Sequence, residues 1–93
     1  MTVTSILDLR LDPARLSEAR ELLDTVLVDT RAFDGCLAVE VLADEHDPAH
    51  VIALETWESL EHDDRYRQWR AGPGASAIRT VLVAPPVLTR WVR

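Results

Sequence analysis

The chain has 93 residues, enough for one domain and too few for two, because independent folding units rarely fall below about 50 residues. Its 47% hydrophobic and 28% charged residues make it too apolar for a disordered segment and too often interrupted by charge for a membrane span. The formal net charge of −6 repels phosphate backbones and anionic headgroups, so we expect neither a nucleic acid nor a membrane as a partner.

All ten basic residues are arginine, and the chain contains no lysine and no asparagine. This excludes a lysine Schiff base and an asparagine oxyanion donor from any proposed chemistry. The single cysteine, Cys36, has no partner for an internal disulfide, and the first residues show neither a basic leader nor a long apolar stretch. We therefore expect a cytoplasmic protein.

The first predicted element is a half-buried strand over residues 2–11, followed by a long amphipathic helix. Asp12 can cap this helix and Pro13 can open it, and apolar residues then recur at steps of three and four to about Arg31. The strand places four apolar side chains in one phase of its two-residue period: Val3, Leu7, Leu9 and Leu11.

Residues 36–43 and 51–57 are predicted to form a hairpin across a polar loop. The register that pairs Ala43 with His50 gives one face apolar enough to lie under helices. That face contains Leu37, Val39, Val41, Ile52, Leu54 and Thr56. The other face would then carry, with the first strand, Ile6, Ala38, Leu42, Val51, Ala53 and Trp57.

A second helix is predicted over residues 60–70, capped by Ser59. Residues 76–83 favour a short helix over a strand. The pair Pro85-Pro86 forbids regular structure, so the last residues form a fourth strand at a sheet edge.

The predicted order of strand, helix, strand, strand, helix, strand is that of an α+β ferredoxin-like split βαβ fold with a four-stranded antiparallel sheet. Two helices cover only one face of such a sheet. The other face would expose more apolar surface than monomers usually tolerate, which predicts a homodimer packed sheet to sheet.

Two stretches, Phe33-Asp34-Gly35-Cys36 and Glu55-Thr56-Trp57-Glu58-Ser59, give the chain a resemblance to the antibiotic biosynthesis monooxygenase family. The resemblance covers nearly the whole chain in element order and spacing. It implies a dimeric α/β barrel of two ferredoxin-like subunits. It also implies oxidation of a small phenol or quinol by O2 without a metal, flavin or other cofactor.

The resemblance also points to individual residues. Trp57 matches the tryptophan of the family's pocket, and the position nine residues later, often histidine in the family, is Tyr66 here. The asparagine of the heme-degrading branch falls on or near Leu7, and no asparagine replaces it. Heme degradation is therefore not expected, and Leu7 is a candidate substrate contact.

His62, Tyr66 and Trp69 are spaced to share one helical face, close after Trp57. Cofactor-free oxygenation requires a substrate that becomes an electron-rich anion in a site that excludes water. We therefore interpret His62 as a candidate base, Tyr66 as a donor to the developing oxyanion, and Trp69 as a substrate contact. Arg79 is a candidate source of positive charge.

Each of these assignments has an alternative. An aromatic stripe at helical spacing is usually core, and a histidine among acidic residues is usually at the surface. Strict alternation places Trp57 on the face away from the helices, whereas the resemblance places it in the helix-side pocket; a bulge could reconcile the two.

The remaining charged groups have structural interpretations. His46 and His50 lie in an acidic loop that we read as solvated and not as a metal site. Cys36 is interpreted as a packing residue. The helix-two arginines, Arg65, Arg67 and Arg70, are expected to pair with Glu61 and Asp63 on a solvated face. Glu40 and Glu55 are expected in a network between subunits, with Arg10 or Arg90.

The sequence thus predicts a cofactor-independent monooxygenase whose partners are a small aromatic substrate and O2. Two alternatives remain open. One is a non-catalytic ligand-binding or accessory member of the same superfamily, and the other is a non-oxidative cyclase or isomerase of polyketide-like substrates.

Overall fold

The alternating residues of the first segment form a central strand, and the chain continues through the predicted elements in order. A computed structural model describes residues 1–93 as follows: β1 (Val3–Arg10), α1 (Leu16–Ala32), β2 (Cys36–Asp44), β3 (Asp47–Trp57), α2 (Leu60–Arg70) and β4 (Val87–Val92). Short 3-10 turns at Pro13–Arg15 and Ile78–Val81 precede α1 and β4. The antiparallel sheet has the order β2-β3-β1-β4, which confirms the predicted ferredoxin-like fold.

Side-chain caps fix the starts of the helical segments. The Asp12 carboxylate accepts a hydrogen bond from the Ala14 N–H at 3.0 Å, but it caps the 3-10 turn, so α1 itself begins at Leu16. The Ser59 hydroxyl accepts from the His62 N–H at 3.2 Å, and α2 then runs over the predicted residues.

The hairpin register differs from the prediction by one residue over most of its length. Val41 pairs with Ala53, not with Ile52. The predicted pairing of Cys36 with Trp57 is retained, because an irregularity between Cys36 and Ala38 absorbs an extra residue.

The predicted polar loop is largely strand. The carboxylates of Asp44 and Asp47 accept backbone N–H groups of His46 and Ala49, at 2.8 and 3.0 Å, and so build a tight turn. β3 therefore begins at Asp47, earlier than expected.

This register reverses the predicted faces of β3. The residues buried beneath the helices are Ala49, Val51, Ala53, Glu55 and Trp57. The expectation that Val51, Ala53 and Trp57 lie on the face away from the helices was wrong. Trp57 instead lies on the helix side, as the family resemblance implied, and the bulge lies in β2.

The opposite sheet face has no helix over it, as expected. We call it the uncovered face. Its apolar residues are Ile6, Ala38, Leu42, Ile52, Leu54, Val87 and Trp91, of which Ile6, Ala38 and Leu42 were predicted to lie there. Trp91 is 60% exposed.

Two apolar clusters lie between the sheet and the helices. The larger contains Leu9, Leu23, Leu27, Val51 and Val81 among its members. The smaller contains Val3, Trp57 and Tyr66, with Phe33 and Trp69 packed against them. No helix of the chain is both long and apolar enough to cross a bilayer.

Candidate active site

A cavity of about 390 Å³ opens between β1, both helices and the segment that leads into β4. We call it the Tyr66 cavity. It contains three of the predicted site residues, Leu7, Tyr66 and Arg79. The other lining residues are Val26, Arg67, Arg70, Ala71, Ala75, Ser76, Ile78 and Pro86. Its volume falls within the range of small-molecule sites, roughly 300–1,000 Å³.

The hydroxyl of Tyr66 is held in a hydrogen-bond chain at the wall of this cavity. Arg70 Nε donates to Tyr66 Oη at 2.8 Å, and the Tyr66 and Thr30 hydroxyls are 2.6 Å apart. Either hydroxyl can be the donor in this contact, because the single Thr30 proton can go to Tyr66 Oη or to the Val26 carbonyl, which lies 3.4 Å from Thr30 Oγ1. When Thr30 donates to Tyr66, the Tyr66 proton is available to a ligand in the cavity. The guanidinium groups of Arg67 and Arg70 also lie 5.0 and 5.3 Å from the Tyr66 ring centroid.

Trp57 lies behind Tyr66 and does not line the cavity. Its side chain is fully buried, with its ring centroid 4.9 Å from that of Tyr66 and 6.2 Å from that of Phe33. The indole Nε1 donates to Glu55 Oε1 at 3.1 Å. Trp57 therefore supports the Tyr66 ring and fixes a buried carboxylate.

His62 also lies outside the cavity, one helical turn before Tyr66. Its Nδ1 is 2.7 Å from the Ser59 hydroxyl, and its Nε2 lies 3.8 Å from both the Asp34 and Glu58 carboxylates. The ring packs against Gly35. The structure thus does not place His62 beside the other predicted site residues.

Gly35 explains why the two stretches that carry the family resemblance occur together. Its φ of 88° is a backbone conformation that favours glycine, and an added Cβ would lie 2.3 Å from the His62 ring. Its carbonyl accepts a hydrogen bond from the Glu58 N–H at 2.9 Å. The turn after α1 is therefore fastened directly to the start of α2.

Trp69 lines an adjoining groove of about 370 Å³ instead of the Tyr66 cavity. This groove lies between α1 and the loop after α2, where the Trp69 ring packs so closely on Gly74 that an added Cβ would lie 2.1 Å away. The Arg70 guanidinium lies 4.8 Å from the Trp69 ring centroid. Arg70 thus borders both spaces.

A buried network of charged side chains supports the wall beneath Arg67. Arg67 donates to Glu55 Oε1 at 2.6 Å, and its Nε lies 2.9 Å from Asp63 Oδ1. The Ser5 hydroxyl donates to Asp63 Oδ2 at 2.7 Å. Glu55 and Asp63 are 1% and 0% exposed, so this part of α2 is not the solvated face that the sequence suggested.

The expectation of a network between subunits was wrong for Glu55, because its partners belong to its own chain. Arg90 pairs with Asp64 at 2.6 Å and not with Glu40 or Glu55. Burial raises the pKa of Glu55, against the opposing effect of the Arg67 charge. Glu55 Oε2 is buried without a hydrogen-bond partner.

Arg67 and Arg70 are the site residues that sequence reasoning missed. Together with Asp63 and Tyr66 they follow the i, i+3, i+4, i+7 spacing of one helix face, a signal that their charges concealed. Arg70 also donates to the carbonyls of Val26 and Gly74, at 2.8 and 3.1 Å. Its side chain thereby ties α1 and the following loop to α2.

His50, Cys36 and a cluster around His62 lie outside the Tyr66 cavity. His50 lies 3.0 Å from Asp8 and 3.5 Å from Asp44, within the sheet and not in a loop. Burial, with a smaller contribution from Glu55, raises the pKa of the Cys36 thiol, which favours packing over nucleophilic chemistry. Asp34, Glu58 and His62 form a cluster whose two carboxylates are exposed, and we assign it no ligand.

A comparison with models of known protein families identifies one family. The sequence model of the family described as "Antibiotic biosynthesis monooxygenase" matches residues 2–80. Among curated proteins, no sequence matches this chain.

Many solved structures share the fold. A conserved protein from Methanosarcina mazei has a TM-score of 0.82 at 15% identity, over 98% of this chain and 91% of its own. A protein from Mycobacterium tuberculosis has a TM-score of 0.77 at 23% identity, over 100% and 95%. A protein described as an antibiotic biosynthesis monooxygenase has a TM-score of 0.81 at 18% identity, over 98% and 97%.

Proposed function

Because this chain belongs to the antibiotic biosynthesis monooxygenase family, we propose that it oxidises a small phenol or quinol with O2, without a cofactor, in the Tyr66 cavity. The observation that carries the proposal is the contact between Arg70 and Tyr66 Oη at the wall of this cavity. A cation and a polarised hydroxyl lie together at the cavity wall, which supports the binding of a phenolic oxygen there.

The reaction requires an electron-rich anion, since O2 accepts electrons readily from a phenolate and poorly from a neutral phenol. Arg70 and the Tyr66 hydroxyl supply positive charge and hydrogen-bond donors for such an anion, and Arg79 adds positive charge at the exposed side of the cavity. Leu7, Ile78 and Pro86 provide the apolar surface that holds the ring and excludes water.

The net reaction balances without any other oxidant or reductant. A quinol and one O2 give a hydroxyquinone and one water. The substrate loses four electrons; one oxygen atom enters a ring C–H bond, and the other leaves as water with two of the substrate's hydrogens. The protein's part is to bind the phenolate, orient its ring towards O2 and keep bulk water away.

We propose distinct roles for the remaining predicted residues. Trp57 acts as a positioning residue, because it packs against the Tyr66 ring from behind and does not line the Tyr66 cavity. Trp69 acts likewise through Arg70. The role of His62 as base is a proposal that the variant His62→Gln tests. If the pH dependence of kcat is unchanged in that variant, His62 is not the base.

A second copy of the chain is part of this proposal. The uncovered face exposes Leu42, Val87 and Trp91, with 48%, 60% and 60% of their surface accessible. A partner sheet packed on this face would bury them and complete an α/β barrel. We therefore propose a homodimer.

One observation favours a second candidate function, that of a ligand-binding member without catalysis. The position nine residues after Trp57 is tyrosine, and the hydroxyl of that tyrosine is already engaged by Thr30 and Arg70. Such a protein would bind the same aromatic ligand and leave it unchanged.

Oxygen uptake distinguishes the candidates. Chelator-treated protein is mixed with 1,4-naphthalenediol or anthrone, and O2 consumption is recorded against the uncatalysed rate. Uptake that exceeds this rate and saturates with substrate supports the monooxygenase. Saturable binding with no added uptake supports the ligand-binding protein, and conversion under anaerobic conditions supports a cyclase or isomerase.

A further inference from the structure

Two arginines of the Tyr66 cavity, Arg70 and Arg79, have no acidic partner. The arginines that form ion pairs with carboxylates are Arg10, Arg15, Arg67 and Arg90. None of the residues that line the cavity is an aspartate or glutamate. Asp29 borders the adjoining groove together with Arg70, but it forms no ion pair with Arg70 within 4.0 Å. The cavity therefore holds unbalanced positive charge in a chain of formal charge −6.

The third cavity arginine does not contribute to this excess. The charge of Arg67 is balanced by Glu55 and Asp63, which are both buried behind it. Arg70, in contrast, donates only to uncharged oxygens. These belong to Val26, Thr30, Tyr66 and Gly74. A partly buried cation without a counter-ion costs free energy, which a bound anion would recover.

The two arginines differ in how many donors remain available. A guanidinium has five N–H groups. Arg70 uses four of them in the hydrogen bonds to its uncharged partners, so one remains on Nη1. The Arg79 side chain is exposed and forms no hydrogen bond within the chain, so all its donors can meet a ligand. Arg79 can bind a carboxylate through two parallel hydrogen bonds, whereas Arg70 can give one to a single oxygen.

We propose that the aromatic substrate carries a permanent acidic group, a carboxylate, which binds Arg79 while the phenolic oxygen of the substrate lies at Arg70 and Tyr66. The inference rests on the proposed function, because it identifies which phenols or quinols that cavity accepts. Exposed Arg79 lies at the mouth and the buried Tyr66 hydroxyl lies deeper, which sets the direction of the ligand. Arg79 thus selects the substrate by its carboxylate, and the phenolate of the same substrate reacts with O2.

The test is binding in the absence of oxygen, so that turnover plays no part. The probes are 1,4-dihydroxy-2-naphthoate and its methyl ester, which differ in charge but little in shape, titrated anaerobically and followed by calorimetry. We expect the wild-type protein to bind the carboxylate at least about tenfold more tightly than the ester, as a charge-assisted bidentate contact would give. Higher salt should weaken this preference.

Arg79→Gln is the decisive variant, because the Arg79 side chain forms no hydrogen bond or ion pair within the chain and we expect its replacement to leave the fold intact. We expect the preference to fall to within about twofold in this variant. Arg65→Gln is the matched control, since Arg65 is exposed on α2 and lies outside the cavity; its preference should equal that of the wild type.

Equal affinity of the wild type for the two probes would overturn the inference, and so would a preference that survives in Arg79→Gln. Failure of the proposed function gives a different pattern. A carboxylate preference without O2 uptake supports the anion site and contradicts the monooxygenase. Oxidation of the ester at the same kcat/KM as the carboxylate supports the monooxygenase and contradicts the anion site.

Discussion

Arg70 Nε donates a hydrogen bond to Tyr66 Oη over 2.8 Å, one helical turn apart on α2 and at the wall of the Tyr66 cavity. Tyr66 Oη also lies 2.6 Å from the Thr30 hydroxyl, and Thr30 Oγ1 accepts a further hydrogen bond from Arg70 Nη2 at 3.1 Å. A charged donor and a polarised hydroxyl thus lie together in a partly buried site, where electrostatic effects are larger than in water.

Replacing Tyr66 by phenylalanine should slow the reaction. The change removes the hydroxyl, leaves Arg70 Nε without its acceptor and takes away one group that stabilises the phenolate. We expect kcat for quinol oxidation to fall by about 10- to 100-fold, measured by O2 uptake. Thr25→Val is the control, because it removes an exposed hydroxyl of α1 outside this cavity. A kcat within about twofold of wild type in a folded Tyr66→Phe protein would exclude Tyr66 from the site.

Replacing Gly35 by alanine should destabilise the fold. The residue has a φ of 88°, and a Cβ there would lie 2.3 Å from the His62 ring. We expect the free energy of unfolding to fall by about 2 kcal/mol or more, measured by urea denaturation. In the double variant with His62→Ala the contacts with the ring are removed, while the Cβ of residue 62 stays 2.5 Å from the added Cβ and the backbone strain remains, so only part of the loss should be recovered relative to His62→Ala alone. An equal loss with and without the ring would show that the contact with the His62 ring is not responsible.

The contribution of Glu55 to the free energy of unfolding should fall as the pH rises. Burial raises its pKa above the ordinary value of 4.5, so in the window between the two values the unfolded chain loses its proton while the folded chain keeps it. The stability associated with protonated Glu55 is complete below about pH 4 and is lost as the pH rises through the folded-state pKa. Relative to Glu55→Gln, the wild type should therefore lose free energy of unfolding with rising pH.

Glu61→Gln is a control, because the pKa of Glu61 is shifted in the opposite direction to that of Glu55. The Glu61 pKa is lowered by its own backbone N–H and by the Ser59 hydroxyl at the start of α2, so the wild type should lose stability relative to this variant as the pH falls. Urea denaturation at a series of pH values measures both trends. Parallel curves for the wild type and Glu55→Gln would contradict the account of the buried carboxylate.

The proposed dimer can be tested on the uncovered face. Ile52→Glu places a charge at the centre of this face, where a partner sheet would have to bury it, whereas Val28→Glu places one on α1, where Val28 is 62% exposed. We expect sedimentation to give twice the chain mass for wild type and Val28→Glu, and the chain mass for Ile52→Glu. A wild-type mass of one chain at micromolar concentration would rule the dimer out.

Periodicity and caps were sufficient to predict the element order and both helices, because Ser59 and the apolar spacing act locally. The register was not predictable from the same signals. It depends on two carboxylates that shorten the hairpin turn, Asp44 and Asp47, and on the extra residue after Cys36. A one-residue error then exchanged the faces of β3 and placed Glu55 with the wrong partners.

The candidate site was predicted only in part, because some of its residues are held by contacts that are distant in sequence. Leu7, Tyr66 and Arg79 do line one cavity, although three different elements carry them. Arg67 and Arg70 were missed because charged residues on a short helix usually face water. Their burial follows only from Glu55 and the backbone carbonyls that receive them, which are distant in sequence.

The most direct test of the central claim is the fate of ¹⁸O₂ in the reaction. Chelator-treated protein is incubated with 1,4-dihydroxy-2-naphthoate under ¹⁸O₂, and the product is analysed by mass spectrometry. The account predicts a hydroxyquinone that contains one ¹⁸O atom, formed faster than without protein. An unlabelled product, or the same conversion without oxygen, would contradict it.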